Sequence, residues 1–385
     1  MIQMMTAYTE EVDEVEDGIA EILEQLDLGA LKKHSIGLIT CHYDFTSAGF
    51  IDALCKNLPF DVIGMTTMAS ANQHGRSMYA LSLTVLTSDE VIFEAVMSGA
   101  LGPDNYHEQM EAAYSDSVKN LPGKPSLIIT FFPYLYDLSG ALMHRAFDEV
   151  CGGIPFWGSL ATNSDVSYEH CNVFRNGDVT VNGMVMILLH GPVDPEFYVV
   201  SIPTQNIRKD REKITDSEGC LLKKIDGIPA WRYMENRGVE IMKDASITTP
   251  LMVYYEGSAV PVALAIYTVN DDGSLLCGGE MPTGASVAVG EITNEGILTT
   301  AEEGMNRVIK CGKKSGALFL PCVTRYVMLV PDHDGELKLV ENRLENGSLM
   351  TFMAGYSGGE VCPVQDESGA LQNRFHNFTF SALVF

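Results

Sequence analysis

Arg325 is the only charged residue in the seventeen positions 315–331 (SGALFLPCVTRYVMLVP). An arginine so placed snorkels its head to water, pairs with a structural acid, or presents a fork of donors to an anionic ligand. Cys322 sits three residues earlier at the end of the apolar run, where the guanidinium could lower a thiol pKa toward nucleophilic chemistry. The plainer reading of that cysteine is a buried, inert thiol. A cysteine hydrolase also needs an oriented base, and the nine histidines offer no local signature for one. Further on, Gly355-Tyr-Ser-Gly-Gly-Glu360 and then Arg374, Phe375, His376, Asn377 and Thr379 add polar groups to an apolar region. They read either as a glycine turn with an edge strand or as the wall of a site.

Familiar signatures are missing: GxGxxG after a strand, GxxxxGK[ST], HExxH and GxSxG do not occur. The pairs Gly278-Gly279 and Gly358-Gly359 suit turns better than phosphates. Glu169-His170-Cys171 is the nearest approach to a metal cluster, but adjacent strand residues face opposite ways and cannot easily share one ion. Asp332-His333-Asp334 before Gly335 reads as a solvated turn. No catalytic residue, cofactor or metal is expected.

The elements that must position these groups alternate between strand and helix. An amphipathic helix is predicted over 12–26, then a strand over 36–40, a helix over 47–58 and a strand over 61–66. Alternating runs at 78–86 and 91–97, joined by Thr87-Ser-Asp-Glu90, predict a hairpin. After a helix over 104–119 the same order begins again. It brings a strand at 126–130, a helix at 138–150, a strand at 155–159 and a second hairpin from 181–189 and 197–202. Gly64 and Gly158 fall at matching points, so a duplicated unit over 35–100 and 126–202 is expected. The charged stretch 208–213 marks a domain boundary. Beyond it lie a helix at 229–236, strands at 251–255 and 262–269, a turn at Asn270-Asp-Asp-Gly273, a helix over 295–310 and a strand over 317–320. A strand over 374–384 closes the chain. The expected class is mixed α/β: two domains of mixed sheets with antiparallel hairpins and flanking helices, divided 1–33 (helix), 34–207 and 208–385.

Composition narrows the function. With 25 Lys+Arg against 51 Asp+Glu, the 385 residues carry a formal charge of −26. That excludes a nucleic-acid binder, which displaces counterions with a basic surface, and docking on anionic lipid. No apolar run approaches the roughly 18–20 residues of a membrane span. The acidic stretch 10–17 (EEVDEVED) is unlike a signal or transit peptide. Nine scattered cysteines without CxxC spacing suit a reducing cytoplasm.

At these motifs the chain resembles the FIST family of sensory domains. Val62-Ile-Gly-Met-Thr-Thr67 and Gly153-Ile-Pro-Phe-Trp-Gly-Ser-Leu-Ala161 are similar to its N-terminal domain. Ile225-Asp-Gly-Ile-Pro-Ala230, Pro321-Cys-Val-Thr-Arg325, Gly355–Pro363 and Phe375-His-Asn-Phe-Thr379 are similar to its C-terminal domain. Together they span about 34–385. Two departures stand out: Met65 where the family has Cys, and Ala69-Ser70 where it has Gly-Glu. The resemblance implies a cytoplasmic sensor of a small polar metabolite, an amino acid or similar. Its output would pass through a separate protein, since no output module accompanies the two domains. It further implies a ligand site built from Arg325, Cys322, Tyr356, Glu360, Arg374, His376 and Asn377. In that site Arg325 would fork onto a carboxylate, Glu360 accept from an amino group and Tyr356 form a wall. The alternative is an enzyme with Cys322 as nucleophile.

Overall fold

The computed structural model describes residues 1–164, 168–239, 246–258, 260–313, 315–347 and 350–385. Its logic is one strand order used three times. The first copy runs β1 (Gln3–Thr9), α1 (Val15–Gln25), β2 (His34–Cys41), α2 (Tyr43–Ser47), α3 (Phe50–Cys55), β3 (Val62–Thr66), the hairpin β4 (Ser70–Asn72) and β5 (Gly75–Ser77), and β6 (Leu81–Ser88). The second runs β7 (Ile92–Met97), α4 (Tyr106–Val118), β8 (Leu127–Phe132), α5 (Gly140–Cys151), β9 (Phe156–Leu160), the hairpin β10 (Val173–Arg175) and β11 (Asp178–Thr180), and β12 (Val185–His190).

The third copy opens with β13 (Glu196–Val200) and is interrupted. The inserted part holds β14 (Glu212–Glu218), β15 (Leu221–Ile225), β16 (Ile228–Pro229), α6 (Ala230–Glu235), β17 (Ser246–Tyr254), β18 (Val262–Val269), β19 (Leu275–Cys277) and β20 (Ser286–Val289), which make a sheet of their own. The copy then resumes with α7 (Asn294–Lys310), β21 (Ala317–Phe319), α8 (Val323–Met328), α9 (Gly335–Gly347), β22 (Phe352–Gly355), the hairpin β23 (Glu360–Gln365) and β24 (Leu371–His376), and β25 (Phe380–Val384).

Each copy builds a sheet around a parallel pair, β2·β3, β8·β9 or β21·β22, flanked by its own antiparallel strands. The far edge of each sheet is completed by a hairpin lent from another copy. Thus β10–β11 joins β3, β23–β24 joins β9, and β4–β5 joins β22. The exchange is cyclic and locks the three sheets together. Where they meet, Leu38, Met65, Ile129, Trp157, Leu318, Met353 and Leu383 share one buried core. Gly64 and Gly158 are each the third residue of their strand, and a Cβ at Gly158 would lie 1.7 Å from the Thr130 carbonyl oxygen. Backbone proximity, not a special φ, demands glycine there.

Mixed α/β architecture is as expected, and several local expectations need correcting. The chain opens with a strand ahead of its amphipathic helix. The run predicted as one helix over 47–58 holds only the short α3, with α2 ending at its first residue. Neither predicted hairpin forms: β6 pairs with β1 and β2, while β7 pairs with β12 in the next sheet. Likewise β12 pairs with β7 and β8, but β13 pairs with β25. Alternation marks a strand without naming its partner, and here the connecting turns hand the chain from one sheet to the next. The closing strand is broken at 377–379 by a bend that proves central to the site.

Candidate functional site

That bend, Asn377-Phe378-Thr379, is held from three sides. Asn377 donates its main-chain N–H to the Ala263 carbonyl at 3.0 Å, and its Oδ1 accepts from the Ala265 N–H at 3.0 Å, pinning β18 of the inserted sheet. From beneath, Arg325 Nη1 donates to the Phe378 carbonyl at 3.2 Å. Glu360 accepts from the Thr379 hydroxyl at 2.7 Å and from the Ser357 hydroxyl at 2.8 Å.

Above the bend lies a cleft of about 450 Å³, beyond the C-terminal ends of β8, β9, β21 and β22, with the inserted sheet as its other wall. The segment between β8 and α5 supplies Tyr134 and Tyr136. Its geometry is set by Ser139, which caps α5 by accepting from the Leu142 N–H. Tyr168 stacks on Tyr134, centroids 4.4 Å apart and planes 14° from parallel. Tyr267 of β18 faces them, 39% exposed. Ser139, Thr268, Thr324 and Asn377 supply polar groups, and Cys322 and Gly358 close the base.

Backbone strain concentrates here. Four described non-glycine residues have φ in the left-handed region. Asn176 and Asp226 are turn residues of types that tolerate it. The other two are bulky aromatics, Tyr168 at φ 54° and Phe378 at φ 62°, and both line the cleft. Such conformations cost on the order of 1–3 kcal/mol each and persist where the surroundings over-determine them, often at ligand sites.

The seven residues implied by resemblance distribute as follows. Cys322 and Asn377 line the cleft, while Arg325 and Glu360 lie directly under its floor. The Arg325 side chain is fully buried. Besides Phe378 it donates to Glu336 Oε1 at 2.9 Å through Nε, to the Ile297 carbonyl at 2.9 Å and to Thr300 Oγ1 at 3.1 Å. Of the three fates open to it in the sequence, pairing with a structural acid describes this geometry, and the acid is Glu336. Tyr356 is packed deeper, ring against Tyr326 at 5.0 Å, its phenol pKa raised by burial and then by Glu336. Arg374 lies over the Tyr255 ring beside a smaller cleft with Glu256 and Asp366. His376 is buried, its Nε2 3.1 Å from the Cys362 carbonyl, and burial holds its pKa down at about 4. Sequence reasoning missed Tyr134, Tyr168, Tyr267 and Phe378. The tyrosines of Pro133-Tyr-Leu-Tyr-Asp137, directly after a buried strand, were the one available signal.

Electrostatics set what the site can do. Burial raises the Glu360 pKa to about 8, outweighing the hydrogen bonds from Thr379 and Ser357. Burial, with Glu360 adding to it, also pushes the Cys322 thiol well above its usual range, so at neutral pH it is protonated and a poor nucleophile. A second polar cluster occupies the position in the first sheet that corresponds to Cys322. There His42 caps α2, with Nε2 2.8 Å from Ser164 Oγ and Nδ1 3.2 Å from Asp44 Oδ2. Its Nδ1 also accepts the Asp44 N–H as the cap, and that tautomer leaves Nε2–H as donor to the serine, not as a base for it. Among the described residues no group of three or more His, Cys, Asp or Glu could hold a metal. None of the described helices is long and apolar enough to cross a membrane.

A body of three interlocked α/β sheets with an inserted sheet roofing a strained aromatic cleft is the class of molecule in hand. The chain belongs to the FIST family: the family models match as FIST N domain over residues 35–228 and FIST C domain over 231–363. FIST domains are sensory, signal-transduction domains. The two matches meet inside the inserted sheet, between β16 and α6. No curated protein matches the chain. One solved structure it resembles is described as "Cyanuric acid hydrolase: evolutionary innovation by structural concatenation". The match has 8% identity and a TM-score of 0.30, covers 76% of this chain and 99% of that one, and is too loose to carry an argument.

Proposed function

We propose that the protein is a cytoplasmic sensor whose cleft above Asn377-Phe378 binds a small polar metabolite without converting it. A separate partner protein would read the bound state. The observation that carries this reading is the pairing of the two strained aromatic residues, Tyr168 and Phe378, on one cleft. Strain held at a cavity wall suits pre-organised binding. The cleft volume falls within the usual range for small-ligand sites, about 300–1,000 Å³. A sensor also needs an element that feels occupancy. The floor bend joins the cleft to the inserted sheet through Asn377 and to the buried Arg325–Glu336 pair through Phe378. Nine cysteines scattered without CxxC spacing support the cytoplasmic setting. Turnover by Cys322 is disfavoured by its protonated, buried thiol.

A thermal-shift screen with amino acids, organic acids and nucleobases tests the reading. A ligand at 100 times its Kd stabilises the native state by about 2.7 kcal/mol and raises the melting temperature. Recovery of that ligand unchanged after prolonged incubation is expected. A panel that shifts nothing, or a compound that is consumed, contradicts the proposal.

A further inference from the structure

Resting on the sensory-cleft reading above, we infer that the ligand is a neutral, planar aromatic heterocycle and not a zwitterion. None of the described residues lining the cleft carries a charge. Beneath the floor, Arg325 is matched to Glu336, and Glu360 is held by the Ser357 and Thr379 hydroxyls, its pKa raised by burial so that it is largely protonated at neutral pH. A free amino acid would bring a carboxylate and an ammonium into a cleft where none of the described lining residues offers a counter-charge, and an ion moved out of water without a partner is strongly penalised. A phosphorylated ligand fares worse, because the chain's −26 formal charge repels anions.

What the cleft offers instead is π-surface. The Tyr134–Tyr168 stack, at 4.4 Å and 14°, presents flat aromatic faces, and Tyr267 stands opposite with 39% of its surface exposed. Around them are hydroxyl-bearing residues, Ser139, Thr268 and Thr324, of the kind that satisfy ring nitrogens and exocyclic groups at an edge. A volume of about 450 Å³ accommodates one or two fused rings and their contact water.

The test uses the full chain and a ring-matched pair of probes, indole against tryptophan, with adenine and nicotinamide as further neutral rings and glycine as a zwitterionic control. Equilibrium dialysis is run at low and high salt. The expected result is that a neutral ring binds and its charged amino-acid counterpart binds at least tenfold more weakly. The neutral ring's Kd should change less than about twofold between 50 and 500 mM salt. Tyr134→Leu, which keeps apolar bulk but removes the aromatic face, should weaken the neutral ring about tenfold or more, while Tyr134→Phe stays within about twofold. Circular dichroism of both variants establishes that they fold. Binding of amino acids without binding of the bare rings overturns this inference and leaves the sensory cleft standing. Binding that is indifferent to Tyr134→Leu overturns it as well. Failure of every probe overturns both.

Discussion

The Arg325 guanidinium donates to the main-chain carbonyl of Phe378 at 3.2 Å, directly under a residue whose φ is 62°. One side chain therefore holds a strained backbone and, through Glu336, neutralises its own buried charge. The cleft floor is thus coupled to a fully buried ion pair.

Breaking that pair leaves one buried charge alone. Arg325→Met should destabilise the unliganded protein by about 3–5 kcal/mol, whereas Arg325→Met with Glu336→Leu should cost far less. Urea unfolding of the two variants measures both. Equal losses in the single and double variants would show that the pair is not what holds the floor.

Glu360 makes stability depend on pH in an unusual direction. Its folded pKa of about 8 lies above the ordinary 4.5, so between those values the native state holds a proton that the unfolded chain has released. Stability should therefore fall as pH rises through that window, by an amount on the order of 5 kcal/mol, and level off above it. Glu360→Gln should flatten this limb and be the more stable form at pH 9, as judged by melting temperature across pH.

Two buried histidines act at the acid end. Burial holds His144 at about 3 and His376 at about 4, so both stay neutral in the native state while the unfolded chain protonates near 6.5. Their contribution is complete above pH 6.5 and is lost as pH falls toward 4. The Nε2 of His144 has no hydrogen-bond partner among the described residues, and its ring packs against Phe156. His144→Leu should therefore weaken the acid limb without lowering stability at pH 7.

The thiols should rank by burial and not by proximity to Arg325. Native alkylation with iodoacetamide is expected at Cys55 and Cys311, the two partly exposed cysteines, well before Cys322. A serine-directed fluorophosphonate should leave Ser164 unmodified. Mass mapping of early products decides both points. Fast, selective modification of Cys322 would revive the nucleophile reading.

Much of the secondary structure was legible in the chain. Helix α7 forms where a helix over 295–310 was expected, the structure adding Thr293 as its cap by accepting from the Gly296 N–H, and the Asn270–Gly273 turn into β19 followed from its residue types. The sheet partners were not legible. An exchanged hairpin such as β23–β24 has the same sequence pattern whichever sheet receives it. The same limit applied to the site. Arg325 stood out as a lone charge, but its acid lies eleven residues on, in a different helix, inside a stretch that reads as an ordinary amphipathic surface. Glu360 and Asn377 were found through resemblance, and their partners only through packing. Phe378 stood inside the 375–379 motif, but nothing marked it for positive φ, because an aromatic residue is a poor guess for that conformation.

The central claim is that ligand binds in the cleft above Asn377-Phe378, and blocking it is the direct measurement. Thr324 lines the cleft from the first turn of α8 and is partly exposed, so Thr324→Trp fills the space without entering the core. Melting temperatures of wild type and variant are compared with and without whichever compound of the metabolite panel stabilises the wild type. The unliganded melting temperatures should agree within a few degrees, and the ligand-induced shift should vanish in the variant. A shift that persists undiminished in Thr324→Trp would place the ligand elsewhere and contradict the account.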